Sequence, residues 1–261
     1  MSRTNTHLGY NERQRNLSIR IEANKRFSNF DLEDWLDERL PFKPGDIILD
    51  IGCGNGNFFP RYSRKISNRG VIVGIDQSKE LLLEAIKCEC TTPKILLEWN
   101  MNNRFPFIER SFNYVISTFA IYYVDDVRAI IEDIKRVLKP SGEVFLIGPT
   151  NNNARELYEF NKNIFNFDRD EKVIRRTNRI EKEFYPVIRD IFESVSIEKI
   201  PSKLIFPSRV EFIAYYMATL LFEESVKRSG FKPDVKKLLS FNIPSLKICK
   251  EMIMLRGRKN G

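Results

Sequence analysis

From residue 47 onward the apolar positions of this chain fall into short continuous runs, separated by segments with helical periodicity. The runs Ile47–Ile51, Val71–Ile75, Ile95–Trp99, Phe112–Thr118 and Glu143–Gly148 are short and rich in β-branched residues, as strands buried on both faces are. Between them, Phe58–Ile66, Lys79–Cys88 and Asp125–Leu138 read as amphipathic helices, the last ended by Lys139-Pro-Ser-Gly142. This alternation predicts an α/β fold with a mostly parallel sheet and helices on both faces.

The two ends read differently. Residues 10–28 predict an N-terminal helix, and Asp31–Leu40 a second one, with Asp31 as N-cap and Asp34 in its first turn. Pro41 to Gly45 breaks the chain before the first strand. After Gly148 the alternation loosens: a helical region covers roughly 152–193, and Val195–Phe206 reads as a long edge strand. Ser208-Arg-Val-Glu211 is a capping box that opens a helix to about Lys227, and Lys250–Arg258 reads as the last strand. The order fits a seven-stranded sheet closed by a late antiparallel hairpin. The chain divides accordingly into an N-terminal helical segment (1–44), an α/β core (45–150) and a helical insertion or lid with closing strands (151–261).

Composition narrows the function classes. An apolar share of 42% and a charged share of 30% over 261 residues are those of a globular protein. The longest apolar run, Phe212–Phe222, is too short to span a bilayer, and the first residues lack an apolar targeting segment, so no membrane insertion is expected. Cys53, Cys88, Cys90 and Cys249 form no Cys-x-x-Cys pair and read as reduced thiols, which sets the expectation of a cytoplasmic protein without a bound metal. The single histidine, His7, excludes a Ser-His-Asp or Cys-His hydrolase and a His-rich metal centre. The net charge of +8 resides in residues 227–261, which carry ten basic and two acidic side chains. That tail is either a contact for RNA, an anionic metabolite or a membrane surface, or a solvated basic surface.

The chemistry-bearing segment is Ile47-Ile-Leu-Asp-Ile-Gly-Cys-Gly-Asn-Gly-Asn57, where a buried strand runs into glycines 52, 54 and 56 and then a helix. Glycines belong where the backbone turns tightly and a ligand approaches it without meeting a Cβ. The second strand ends in Gly74-Ile-Asp76, and a carboxylate there can accept both ribose hydroxyls of an adenosine-containing ligand. A dinucleotide turn has the spacing G-x-G-x-x-G, whereas here Asn57 holds the third glycine position. Asp50, just before the loop, suits a sulfonium cofactor with an amino group better than a pyrophosphate.

These motifs resemble the class I S-adenosylmethionine-dependent methyltransferases. LDIGCGNG is similar to their first motif and GIDQS to their second. FNYVISTFAIYYVDD is similar to the fourth-strand segment, and IKRVLKPSGEVFLIGPT to the fifth-strand motif. The resemblance covers about residues 45–150 and is nearest to the broad group of quinone-biosynthesis and natural-product enzymes. It implies a Rossmann-like sheet, S-adenosyl-L-methionine as cofactor, and roles for particular positions. Gly52, Cys53, Gly54 and Gly56 would line the methionine and ribose part, with Asp50 near the amino group. Asp76 would hold the ribose hydroxyls and Gln77 would border the adenine. Asn100 and Met101, after the third strand, would meet the adenine amino group, Asn100 standing where relatives commonly carry an acid. Thr118 and Phe119 would lie beside the reactive methyl group, and the N-terminal segment with Tyr10 and Arg13 would fold over the cofactor.

Methyl transfer from a sulfonium is an in-line displacement on an activated carbon, so holding the acceptor close and aligned is most of the task. Tyr122 and Tyr123 are the candidates for acceptor positioning, with packing as the alternative role; a phenol, with an ordinary pKa of about 10, is a poor base. The segment Ser208–Lys227 is apolar nearly all round, which reads as core for most of it and a lid over an acceptor pocket for the rest. The leading reading is transfer to O, N or C of a small-molecule acceptor. The alternatives are an RNA or protein methyltransferase, supported only by the basic tail, a catalytically silent cofactor-binding protein and, last, a nicotinamide oxidoreductase. Neither the acceptor nor an oligomeric state is legible.

Overall fold

The computed structural model describes residues 14–261, so His7, Tyr10 and Arg13 lie outside the described residues. The chain begins with α1 (Gln14–Phe27) and α2 (Leu32–Arg39), the latter capped by Asp31, whose side chain accepts from the Asp34 amide. It then alternates through β1 (Ile47–Ile51), α3 (Phe59–Ile66), β2 (Val71–Asp76), α4 (Lys79–Lys87), β3 (Lys94–Glu98), β4 (Phe112–Thr118), α5 (Val127–Val137) and β5 (Leu138–Pro149). Three helices follow, α6 (Arg155–Phe165), α7 (Glu171–Arg179) and α8 (Tyr185–Ile191), with a π-helical turn at Ile180–Phe184 between the last two. The chain closes with β6 (Ser194–Ile200), β7 (Lys203–Ile205), α9 (Arg209–Met217), α10 (Leu220–Ser229), α11 (Val235–Ser240), β8 (Lys247–Cys249) and β9 (Met252–Arg258).

The main sheet has seven strands in the order β3-β2-β1-β4-β5-β9-β6. The first five are parallel, and β9 runs antiparallel to both β5 and β6. This is the Rossmann-like α/β architecture that the alternation implies. Successive residues of each central strand face opposite sides: Leu49, Val73, Val115 and Leu146 pack toward α5 and α8, while Ile48, Ile72, Ile116 and Phe145 pack under α2 and α3. Burial on both faces is why these strands read as unbroken apolar runs.

Two expectations for the C-terminal third are corrected. The stretch 195–206 is not one edge strand, because Pro201 has no amide hydrogen to continue the ladder. β6 stays on the sheet edge, and β7 turns away to pair with β8 in a separate two-stranded sheet. The helix expected from Ser208 to Lys227 also divides at Ala218–Thr219, where the Thr219 hydroxyl accepts from the Phe222 amide at 3.3 Å and starts a new helix. The insertion has a core of its own, in which Phe160, Phe212, Tyr216 and Phe222 meet edge to face at 5.0–5.2 Å. β6 and β9 are joined through this insertion, not by a tight turn.

Among the described residues no helix is long and apolar enough to cross a membrane. The carboxyl ends of β1, β2 and β4 open on one edge of the sheet, where the strand order reverses between β1 and β4, the position at which α/β sheets bind ligands.

Candidate functional site

The turn after β1 is built by three glycines in left-handed conformation, Gly52 (φ 70°), Gly54 (φ 56°) and Gly56 (φ 73°). The amides of Gly52 and Cys53 both donate to the Ile75 carbonyl, at 2.8 and 3.1 Å, which ties the loop to the end of β2. The glycines differ in what surrounds them. A Cβ at Gly52 would lie 2.2 Å from the Ala120 Cβ, and one at Gly56 would lie 2.7 Å from the Phe59 ring. A Cβ at Gly54 would meet only Leu17, at 4.0 Å. Gly54 therefore offers bare backbone to open space, whereas Gly52 and Gly56 are glycines for packing.

Two buried carboxylates flank this turn. Asp76 Oδ2 accepts from the Gly54 amide at 2.9 Å, and its Oδ1 accepts from the Ser78 amide at 2.8 Å. Burial pushes the Asp76 carboxyl above the usual range, and the amides of Ser78, Gly54 and Gln77 pull it back. Asp50, only 3% exposed, is pushed up to about 8, by burial first and by the charge of Asp76 second. Burial also holds the Cys53 thiol up, with Asp50 and Asp76 adding to it.

A cavity of about 820 Å³ opens beside the loop. Asp50, Gly52, Cys53 and Gly54 line it from β1 and its turn, and Asp76 and Gln77 from the end of β2. Asn100 and Met101 border it after β3, with Asn100 Oδ1 accepting from the Asn102 amide at 2.9 Å, an arrangement that leaves the amide nitrogen as its donor. Thr118 and Phe119 border it at the end of β4, Phe119 in left-handed backbone at φ 59°. Tyr122 and Tyr123 follow on a short 3-10 turn, both bordering the cavity, their rings 4.8 Å apart. Among the described residues expected at the site, Gly56 alone stays out of the cavity, behind the loop against Phe59 and Ala85.

Other walls come from the segments that flank the α/β core. One face of α1, with Leu17, Arg20, Ile21 and Asn24 three or four residues apart, roofs the cavity. The insertion contributes Tyr215 and Leu220, and the approach to β9 contributes Lys250 and Met252. Phe212, Ile213, Tyr216 and Phe222 stay in the insertion's core. Behind the tyrosine turn lies Arg179, 1% exposed, at the point where α7 passes into the π-helical turn. Its Nη1 donates to the carbonyls of Tyr122, at 2.9 Å, and Val124, and its Nε donates to Glu183 at 3.0 Å. Arg176 sits over the Tyr123 ring at 5.2 Å. Among the described residues no group of three His, Cys, Asp or Glu side chains converges as a metal site.

Residues 49–146 match the family model described as a methyltransferase domain. This segment is a methyltransferase domain. A demethylmenaquinone methyltransferase of Oceanobacillus iheyensis is 31% identical over 128 residues, 47% of this chain and 54% of that protein. A 2-phytyl-1,4-naphtoquinone methyltransferase of Trichormus variabilis is 29% identical over 108 residues, 40% of this chain and 47% of that protein. The chain thus spans about half the length of these relatives. Among solved structures, the YcgJ protein of Bacillus subtilis superposes with a TM-score of 0.58 at 18% identity, covering 88% of this chain and 98% of that one. A phosphoethanolamine N-methyltransferase 2 of Haemonchus contortus, solved with phosphomonomethylethanolamine and S-adenosylhomocysteine, gives 0.54 at 17% identity over 95% of this chain and 53% of that one. These structures share the fold. The glycine turn, Asp76 and the tyrosine turn all fall inside the methyltransferase domain, whereas Arg20, Tyr215 and Lys250 come from the flanking segments.

Proposed function

We propose that this protein transfers the methyl group of S-adenosylmethionine to an oxygen, nitrogen or carbon atom of a small molecule. The observation that carries the reading is one continuous cavity that touches both the Gly54–Asp76 corner and the aromatic turn Phe119–Tyr123, giving donor and acceptor adjoining places in one enclosure.

The residues present fit the cofactor. Bare backbone at Gly54 admits a ligand, and the Asp76 carboxylate, which accepts from the amides of Gly54, Ser78 and Gln77, keeps a lone pair for a ribose hydroxyl. The buried pair Asp50 and Asp76 makes this corner a place for positive charge, and Asp50 is assigned to the amino group. Gln77, Asn100 and Met101 are assigned to the adenine, and Thr118 and Phe119 to the boundary with the acceptor. When bound, the cofactor supplies a methyl group already activated by its sulfonium. Tyr122 and Tyr123 flank the acceptor, α1 and the insertion exclude water, and Arg179 fixes the carbonyls of the tyrosine turn.

A small acceptor is supported by the enclosure, by the quinone-acting names of the relatives and by what the basic tail does. Arg256 pairs with Glu143, Lys259 Nζ donates to the carbonyls of Lys135 and Leu138, and Lys250 borders the cavity, so these cations are not free for a nucleic acid. A cytoplasmic location, with the four cysteines as free thiols, belongs to the same proposal.

The test is to incubate the protein and methyl-labelled S-adenosylmethionine with the small-molecule, RNA and protein fractions of a cell extract. Label is expected in the small-molecule fraction. Label confined to RNA or protein contradicts the proposed acceptor, and tight S-adenosylhomocysteine binding with no label anywhere contradicts turnover.

A further inference from the structure

The cavity is electrically polarised along the sheet edge. Asp76 and Asp50 lie at the ends of β2 and β1, the Thr118–Phe119 boundary at the end of β4, and Lys250 two residues before β9. In the strand order β2-β1-β4-β5-β9, the acidic corner on β1 and the start of β9 are three strand spacings apart, about 14 Å at ~4.8 Å each. The cavity's other acids are engaged outside that far end: Asp31 caps α2, and Glu33 pairs with Arg61 at 2.9 Å.

At the far end Lys250 is half-buried, and its Nζ lies 3.2 Å from the Tyr215 hydroxyl. Its backbone is pinned, the amide donating to the Ser202 carbonyl at 2.7 Å and the carbonyl accepting from the Ser202 hydroxyl at 3.3 Å. Tyr215 is buried, with its ring 5.3 Å from Phe206 in the insertion's core. Among the described residues no carboxylate pairs with Lys250. An ammonium donates three hydrogen bonds, and withdrawing one from bulk water costs free energy unless an acceptor or counter-charge compensates. Arg20 on α1 also lines the cavity. The lining also carries the aromatic residues Phe119, Tyr122 and Tyr123 beside Tyr215.

We infer that the acceptor is a small planar acid, its carboxylate or phenolate oxyanion held by Lys250 with the Tyr215 hydroxyl, and its ring held between the aromatic walls. This rests on the methyl-transfer reading and adds the substrate class. Lys250 is a specificity-determining residue at the end of the cavity opposite Asp50. The anchored oxyanion sets which atom of the acceptor reaches the β4 boundary.

The test uses the full chain and an extract of the organism's own metabolites, fractionated on an anion exchanger at pH 8 before assay with labelled S-adenosylmethionine. Acceptor activity is expected in the retained fraction. With the acceptor purified from it, Lys250→Met should raise KM by about tenfold or more, Lys250→Arg should recover most of the loss, and S-adenosylhomocysteine affinity should stay within about twofold in both. Tyr215→Phe keeps the ring against Phe206 and should raise KM less. Acceptor activity in the unretained fraction, or an unchanged KM in Lys250→Met, overturns the anionic anchor and leaves methyl transfer standing. Intact S-adenosylhomocysteine binding with no acceptor in any fraction overturns both readings.

Discussion

Arg179 donates from Nη1 to the carbonyl oxygen of Tyr122 at 2.9 Å, joining two segments 57 residues apart in the chain. The guanidinium satisfies two buried carbonyls on the tyrosine turn while Glu183 balances its charge across the π-helical turn. Removing it leaves those acceptors buried without a donor. Arg179→Met is therefore expected to lower the unfolding free energy by about 2–4 kcal/mol in urea denaturation and to reduce kcat/KM in the folded fraction. A variant as stable and as active as the parent contradicts this role.

The glycine turn makes a second prediction, because fold and ligand binding separate between neighbouring positions. Gly52→Ala drives a methyl group into Ala120 and is expected to prevent stable folding, as seen by circular dichroism. Gly54→Ala meets no atom closer than 4.0 Å and should cost only the left-handed backbone penalty, about 1–2 kcal/mol. Its methyl group nevertheless occupies the approach to the backbone, so S-adenosylhomocysteine affinity should fall. Equal behaviour of the two variants contradicts the division.

Asp50 makes the site sensitive to pH. Its carboxyl is pushed up to about 8 from an ordinary 3.8, so the folded state favours the neutral form. That contribution to stability is complete below about pH 4 and is lost as pH rises toward 8. The melting temperature of the ligand-free protein should therefore fall across this window, and Asp50→Asn should flatten the fall. An amino-group cation against Asp50 favours ionisation, so binding S-adenosylhomocysteine at pH 7 should release close to one proton. Calorimetry in buffers of different ionisation enthalpy reads that proton, and it should vanish in Asp50→Asn. A release unaffected by the substitution contradicts the assignment.

The parallel half of the sheet was legible because strands buried on both faces carry unbroken apolar runs; β1 and β4 have the boundaries that the pattern predicts. The acidic end of the site was legible for a related reason, since Gly54 and Asp76 belong to a local motif fixed by a strand end and a turn. Lys250, Tyr215, Arg20 and Arg179 left no such mark. They meet the site only through packing of distant segments, and no spacing in the chain records that a lysine before β9 faces a tyrosine on α9. Pro201 and Thr219 did carry local signals, one a missing donor and the other a capping hydroxyl, yet β-branched and apolar neighbours masked both.

The central claim is that the Gly54–Asp76 corner binds an adenosyl sulfonium. Calorimetric titration of S-adenosylhomocysteine and, separately, NADH into the parent and Asp76→Asn proteins tests it most directly. Asparagine removes the charge and one of the two acceptor oxygens, so it weakens the ribose contact together with one of the Gly54 and Ser78 amide contacts, and a melting curve beside the titration checks that the variant is folded. The expected result is micromolar S-adenosylhomocysteine binding, no NADH binding, and about a tenfold or greater loss of affinity in Asp76→Asn. Binding of NADH in place of S-adenosylhomocysteine, or S-adenosylhomocysteine affinity unchanged by the substitution, would contradict it.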